Sequence, residues 1–279
     1  MKKYTLSVYE KAMPEELSPK QKLQAAKSAG FDAVELSVDE SDEKLARLEM
    51  RGEERKKLRK LGGESIHFNS ICLSGHRRFP LGSKDLATRK RAEEIMTGAV
   101  ELAYDLGINI IQLAGYDDYY EKEGPGDAET EKLYTDNLAK AAEYAGRRGI
   151  LLGIETMETD FCNTVAKGMR FVKAVDSPYL QMYPDVGNMT NGTDDVIADL
   201  ESGRGHIIAV HLKETKENVF RDLTYGDGRV DFYGCAKKCS ELGITMFNGE
   251  YWHKKGEDYL AELKYAGGFL RNILDEVYK

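Results

Sequence analysis

Four β-prone segments in the second half of the chain each run out into a side chain that can bind a metal or move a proton. Glu155 follows Ile-Leu-Leu-Gly-Ile, Asp185 follows Leu-Gln-Met-Tyr-Pro, His211 follows Ile-Ile-Ala-Val and Glu250 follows Thr-Met-Phe-Asn-Gly. Any one alone reads most simply as a solvated charge at a strand end. The recurrence of the pattern is what singles them out. Three carboxylates and one imidazole form a mixed donor set for one divalent ion; hard oxygens suit Mn²⁺, Mg²⁺ or Co²⁺, and Zn²⁺ also accepts such ligands. A cation at a ketone oxygen makes the neighbouring C–H proton removable, and a positioned carboxylate adds roughly a hundred- to ten-thousand-fold as base. With Glu155 and Glu250 on opposite faces of a substrate, one removes the proton, the other returns one from the far side, and the carbon is inverted. A single base would return the proton to the same side or move it to a neighbouring carbon.

For the four side chains to meet, their strands must be parallel neighbours. The apolar run 207–210 suits a strand buried on both faces. Further strands are expected at 4–8, 33–37, 65–73, 108–113, 150–154, 180–183 and 245–249. Between them lie helical stretches, several stopped by glycine. Ser18-Pro19 opens one, Ser83 is read as the cap of a long one over 85–106, and a charged one breaks at Gly62-Gly63. Others are read at 171–175 (the end of a helix), 194–200, 232–242 and 255–279. About eight strand–helix units in 279 residues predict a single α/β domain over 1–279, a (β/α)₈ TIM barrel. In that fold strand C-termini converge on one face and carry the chemistry. A doubly wound open sheet would show a glycine-rich phosphate loop after the first strand, and Tyr9-Glu-Lys-Ala-Met-Pro14 has none.

The chain carries a net charge of −8, a poor match to nucleic acid or to an anionic membrane surface, although a small anionic substrate needs only a local basic patch. No signal-peptide core and no spanning apolar run are present, so the cytoplasm is the expected compartment. Cys235 and Cys239 have a helical spacing and read as packed core thiols; His67 reads as a core histidine within a strand.

Glu155-Thr-Met-Glu158, Pro184-Asp-Val-Gly-Asn188, His211-Leu-Lys-Glu-Thr215, Gly226-Asp-Gly-Arg-Val-Asp-Phe232 and Gly249-Glu-Tyr-Trp252 together resemble the xylose-isomerase-like barrel superfamily. Ser37-Val-Asp-Glu-Ser-Asp-Glu43, Leu73-Ser-Gly-His-Arg-Arg-Phe-Pro-Leu-Gly-Ser83 and Ile111-Gln-Leu-Ala-Gly-Tyr-Asp117 bring it nearest to the L-ribulose-5-phosphate 3-epimerases (L-xylulose-5-phosphate 3-epimerases) of bacterial L-ascorbate and pentose utilisation. The resemblance implies that Glu155, Asp185, His211 and Glu250 are metal ligands, that Glu155 and Glu250 are also the acid/base pair, and that the substrate is a small phosphorylated sugar. Superfamily members often pair through a barrel face, so a homodimer is expected. Free-sugar epimerases of the superfamily carry a histidine where this chain has Asn188, and an arginine where it has Lys216-Glu217. Free-sugar specificity is therefore not carried over.

For the substrate end, His76 and Arg77 after the third strand, Glu158 and Asn188 after their ligands, and Lys213 and Lys216 after the seventh strand are the candidates. Gly226 and Gly228 would leave backbone N–H groups open to a phosphate. Tyr116 and Trp252 are candidate pocket walls. An aldose–ketose or hexulose-phosphate isomerase would use much the same site. A DNA-repair (apurinic-site) endonuclease of the related barrel type needs several zincs and many histidines, and five histidines in an acidic chain argue against it.

Overall fold

The structure is a computed structural model, and it describes residues 3–61, 66–120 and 124–279. Among the described residues eight strands form one sheet: β1 (Thr5–Tyr9), β2 (Ala33–Val38), β3 (His67–Leu73), β4 (Ile110–Ala114), β5 (Leu151–Glu155), β6 (Leu180–Met182), β7 (Val210–Leu212) and β8 (Met246–Gly249). Every strand pair is parallel, and β1 joins both β2 and β8. Between β6 and β7 the ring closes through bridges pairing Met182 with Ile207 and Asp185 with His211. The chain thus folds as the expected TIM barrel.

Strand alternation divides the side chains into two sets. Leu6, Val8, Val34, Leu36, Ile71 and Leu113 pack with Leu23, Ala26, Ile95 and Leu102 of the surrounding helices in the main apolar core. Ser7, Glu35, Ser70, Gln112 and Asn248, on the alternate positions, are buried and polar. Gly153 belongs to this inner set: a Cβ there would lie 2.6 Å from that of Tyr183, so glycine makes room for the tyrosine ring inside the barrel.

The helices begin where capping chemistry permits. Ser18 and Gln21 form a reciprocal capping box at Pro19–Ser28. At the long helix Leu86–Leu106 the cap is Asp85, which accepts from Thr88 N; Ser83, the residue expected there, instead accepts from Asp85 N (3.1 Å). Val186–Gly192 was not expected as a helix, because glycines and β-branched residues are poor helix formers. Asp185 starts it by accepting from Gly187 N (2.7 Å) and Asn188 N (3.0 Å). His67 is exposed at the start of β3 rather than in the core. Cys235 and Cys239 are buried free thiols on Phe232–Glu241. The Gly62-Gly63 break and the expected strand start at Ser65 lie outside the described residues.

Candidate active site

Barrel closure brings Glu155, Asp185, His211 and Glu250 together. All four are buried, and one donor atom from each lies within 4.8 Å of the others. His211 Nδ1 sits 2.7 Å from Glu155 Oε1 and 2.9 Å from Glu250 Oε2. Asp185 uses Oδ1 to cap its helix, which leaves Oδ2 facing the cluster. Asp185 Oδ2 and Glu250 Oε2 are buried without a hydrogen bond: Lys213 Nζ lies 2.7 Å from the first and 3.8 Å from the second, and His211 Nδ1 lies 2.9 Å from the second. Acceptors so placed fit a divalent cation, as does the donor set of hard oxygens and one imidazole nitrogen.

The electrostatics follow from crowding anions in a dry place. Burial pushes the Glu155 carboxyl up, the Glu250 charge adds to the push, and it reaches about 7. Burial also raises Asp185 well above the usual carboxylate range, against the pull of Lys213. Glu250 feels the same burial, but Lys213 and His211 outweigh it and hold this carboxyl low. For His211, burial works against the imidazolium, and the surrounding Glu35, Glu250 and Glu155 overcome it and raise the ring well above its ordinary value. The carboxylates thus share protons as a group, and a bound cation would displace them.

Two supporting carboxylate contacts were not anticipated. Gln112, on β4, donates through Nε2 to Glu155 Oε2 and orients that carboxylate. Glu35, on β2, lies 2.8 Å from His211 Nε2, on the side of the ring away from the ligands. The signal for both was present but weak: a lone polar residue in the middle of a buried strand.

Above the cluster opens a cavity walled by Tyr9, Cys72, Tyr116, Met157, Phe220 and Trp252, with Glu155 and Glu250 on its lining. Its cations are Lys11, Arg77, Lys213 and Arg221. Arg77 donates to Tyr116 OH (2.9 and 3.2 Å) and lies 3.6 Å from Glu40. Arg221, which sequence reasoning missed, sits 5.0 Å over the Trp252 ring, with Glu158 at 3.9 Å as its acidic neighbour. Glu158 itself lines the cavity.

Of the other substrate-end candidates Lys213 lines the cavity, and His76, Asn188 and Lys216 lie elsewhere. His76 points into the protein, its Nε2 3.2 Å from the Ala92 carbonyl, and burial pushes its imidazole down to about 4. Asn188 is buried beneath the site and donates to Thr156 O (2.7 Å). Lys216 is exposed on the loop beyond β7 and does not line the cavity. Lys213 is on the cavity floor, committed to Asp185. The Gly226 and Gly228 loop is already filled: the Glu214 carboxylate accepts from Thr215 N, Gly226 N and Val230 N (3.1, 2.8 and 3.2 Å). A Cβ on Gly228 would fall 2.1 Å from Glu214 Oε1, so the glycine there accommodates an internal anion instead of an incoming one.

The fold and this site define a class, and comparison with known proteins bears it out: residues 23–273 match the family described as xylose isomerase-like TIM barrel. L-ribulose-5-phosphate 3-epimerase UlaE of Escherichia coli O157:H7 (strain EC4115) is 40% identical over 272 residues, covering 97% of this chain and 95% of that protein. The same enzyme of Escherichia fergusonii is 40% identical over the same shares. Among solved structures, a D-psicose 3-epimerase determined with D-fructose superposes with a TM-score of 0.82 over 97% of this chain and 99% of that one, at 18% identity, a likeness of fold. The chain belongs to the xylose-isomerase-like TIM-barrel family and, within it, to the L-ribulose-5-phosphate 3-epimerases. It is an enzyme of the isomerase class.

Proposed function

We propose that the chain inverts C3 of a ketopentose 5-phosphate, interconverting L-ribulose 5-phosphate and L-xylulose 5-phosphate. The observation that carries this reading is the pair Glu155 and Glu250. They come from β5 and β8, both open on the cavity, and both reach the same nitrogen of His211. One glutamate takes the C3 proton, leaving an enediolate; the other delivers its own proton to the opposite face of C3. At the end of a turnover the first glutamate is protonated and the second is not, so repeating the same direction requires proton exchange with solvent. Asp185, His211 and the two glutamates would hold one divalent cation, which when bound supplies positive charge to offset the negative charge developing on the sugar oxygens. Lys213 balances Asp185 and Glu250. Trp252, Tyr116 and Met157 exclude water around the sugar.

A phosphorylated substrate is supported by the cations on the wall and by the names of the relatives. Of those cations Arg221 is the least committed: its side chain is 40% exposed and its acidic neighbour lies at 3.9 Å. It is the group to meet the phosphate, with Arg77 beside it. Turnover in D₂O should place deuterium at C3 of the product. Label at C2 of an aldose product or at C1 of the recovered ketose, with none at C3, would make the enzyme an aldose–ketose isomerase. Arg221→Ala should raise KM for the phosphorylated ketopentose tenfold or more and leave free L-ribulose unaffected. Equal turnover of free and phosphorylated sugar by the parent enzyme would remove the phosphate from the assignment.

A further inference from the structure

Glu35 is 0% exposed, does not line the cavity, and stands in the middle of a six-residue strand whose every residue is buried. A carboxylate taken that far from water costs several kcal/mol unless its oxygens are fully engaged. Those of Glu35 are. Oε1 accepts from Ser70 Oγ (2.7 Å) and Tyr183 OH (3.0 Å). Oε2 accepts from Asn248 Nδ2 (2.9 Å) and faces His211 Nε2 (2.8 Å). The partners come from β3, from the residue after β6, from β8 and from β7. The register is arranged for it: the β2–β3 pairing shifts after Val34, so that Ser70 rather than Asn69 lies opposite Glu35. Asn248 is the register partner of His211.

We propose that Glu35 is the positioning residue of the metal centre, holding the Nε2–H of His211 and so fixing the tautomer and ring plane that present Nδ1 to the cation shared with Glu155, Asp185 and Glu250. With Ser70, Tyr183 and Asn248 all donating to it, this carboxylate leaves Nε2 the role of donor. A neutral imidazole that donates through Nε2 keeps its lone pair on Nδ1, and Nδ1 is the nitrogen turned to Glu155 and Glu250. The Tyr183 ring, edge-on to the imidazole at 4.7 Å between centroids, restrains its rotation. A carboxylate behind a metal-bound histidine also strengthens the ligand, and loss of such a partner typically weakens metal binding 10- to 100-fold.

The inference rests on the metal reading of the site, and two measurements test it. In the intact protein loaded with Zn²⁺ and labelled with ¹⁵N-histidine, long-range ¹H–¹⁵N spectra should show His211 protonated at Nε2 and metal-bound at Nδ1. Competition titration should give Glu35→Gln a Zn²⁺ dissociation constant about 10- to 100-fold weaker than the parent. Lys216→Ala, on the exposed loop, should bind as the parent does. A purely structural Glu35 would change the melting temperature of the metal-free protein and leave the dissociation constant of the folded variant within twofold, and that result overturns the proposal. Protonation at Nδ1 in the Zn²⁺ form overturns it as well; this spectrum is taken on the parent, so the question is decided even if the variant does not fold. A parent that takes up no Zn²⁺, Mn²⁺ or Co²⁺ would instead refute the metal reading itself, and this proposal with it.

Discussion

Two buried charge clusters sit at the C-terminal ends of the strands, and they are built on opposite balances. Just beyond β1, Glu10 is surrounded by Lys22 at 3.0 Å, Lys44 at 3.7 Å and Arg47 at 2.6 Å, and it accepts from Ser37 N at 2.8 Å. Burial pushes its carboxyl up, but Arg47 above all, with Lys22 and Lys44, reverses the shift and holds it far below the usual carboxylate range. Around the ends of β5 to β8 the ratio inverts: four carboxylates, Glu35 among them, face one histidine and one lysine. Glu155 rises to about 7, and oxygens of Asp185 and Glu250 are left without hydrogen bonds. The first cluster is complete and fastens the chain leaving β1 to the backbone of β2. The second is short of positive charge, a condition a structural staple does not need and a cation site does.

Parallel substitutions put that contrast at risk. Glu155→Gln and Glu250→Gln should each lower kcat by roughly 10²–10⁴. In the metal-free protein Glu155→Gln should melt no lower than the parent, since it removes a charge that its neighbours oppose; a large drop would mean that the second cluster is itself a staple. Glu10→Gln should do the reverse, destabilising the fold by about 3–5 kcal/mol, because Lys22, Lys44 and Arg47 are left with an uncompensated buried surplus. The pH dependence has a definite sign. The Glu10 carboxyl is depressed on folding, so its contribution is complete above the unfolded value of about 4.3 and is lost as pH falls below it toward the folded value. Denaturant midpoints followed from pH 7 to 3 should fall more steeply for the parent than for Glu10→Gln. Chelation followed by Mn²⁺ at a hundred times its dissociation constant should restore about 2.7 kcal/mol, visible as a rise in melting temperature. No rise at any Mn²⁺, Co²⁺ or Zn²⁺ concentration would remove the distinction between the clusters. The smallest effect belongs to Lys216→Ala, expected within about 0.5 kcal/mol in stability and without change in KM, because that lysine is exposed and outside the cavity.

The cluster of Glu155, Asp185, His211 and Glu250 was legible in the sequence because it repeats: an apolar run and then a ligand-type side chain, four times, on a chain of barrel length. The Glu10 staple was not, since Glu10, Lys22, Lys44 and Arg47 are ordinary charges in sequence and meet only when β1, β2 and their helices pack. Glu35 was hidden for the same reason, a single charge within a strand whose four partners come from four other segments. The loop glycines misled because a bare loop and one filled by Glu214 look alike in sequence. His76 and Arg77 are neighbours in sequence, yet the short turn Gly75–Arg77 sends one side chain toward the helix behind and the other toward the cavity.

What the sequence determined by itself was the alternation of strand and helix and, to within about two residues, where each strand ends, for these depend on local periodicity, capping and turn chemistry. Tertiary structure alone decided which charges face one another and in what ratio. That ratio depends on closing the ring between β6 and β7, where Asp185 is paired with His211. The closure turns separate strand ends into one cation-poor cluster, and no local stretch of sequence encodes it.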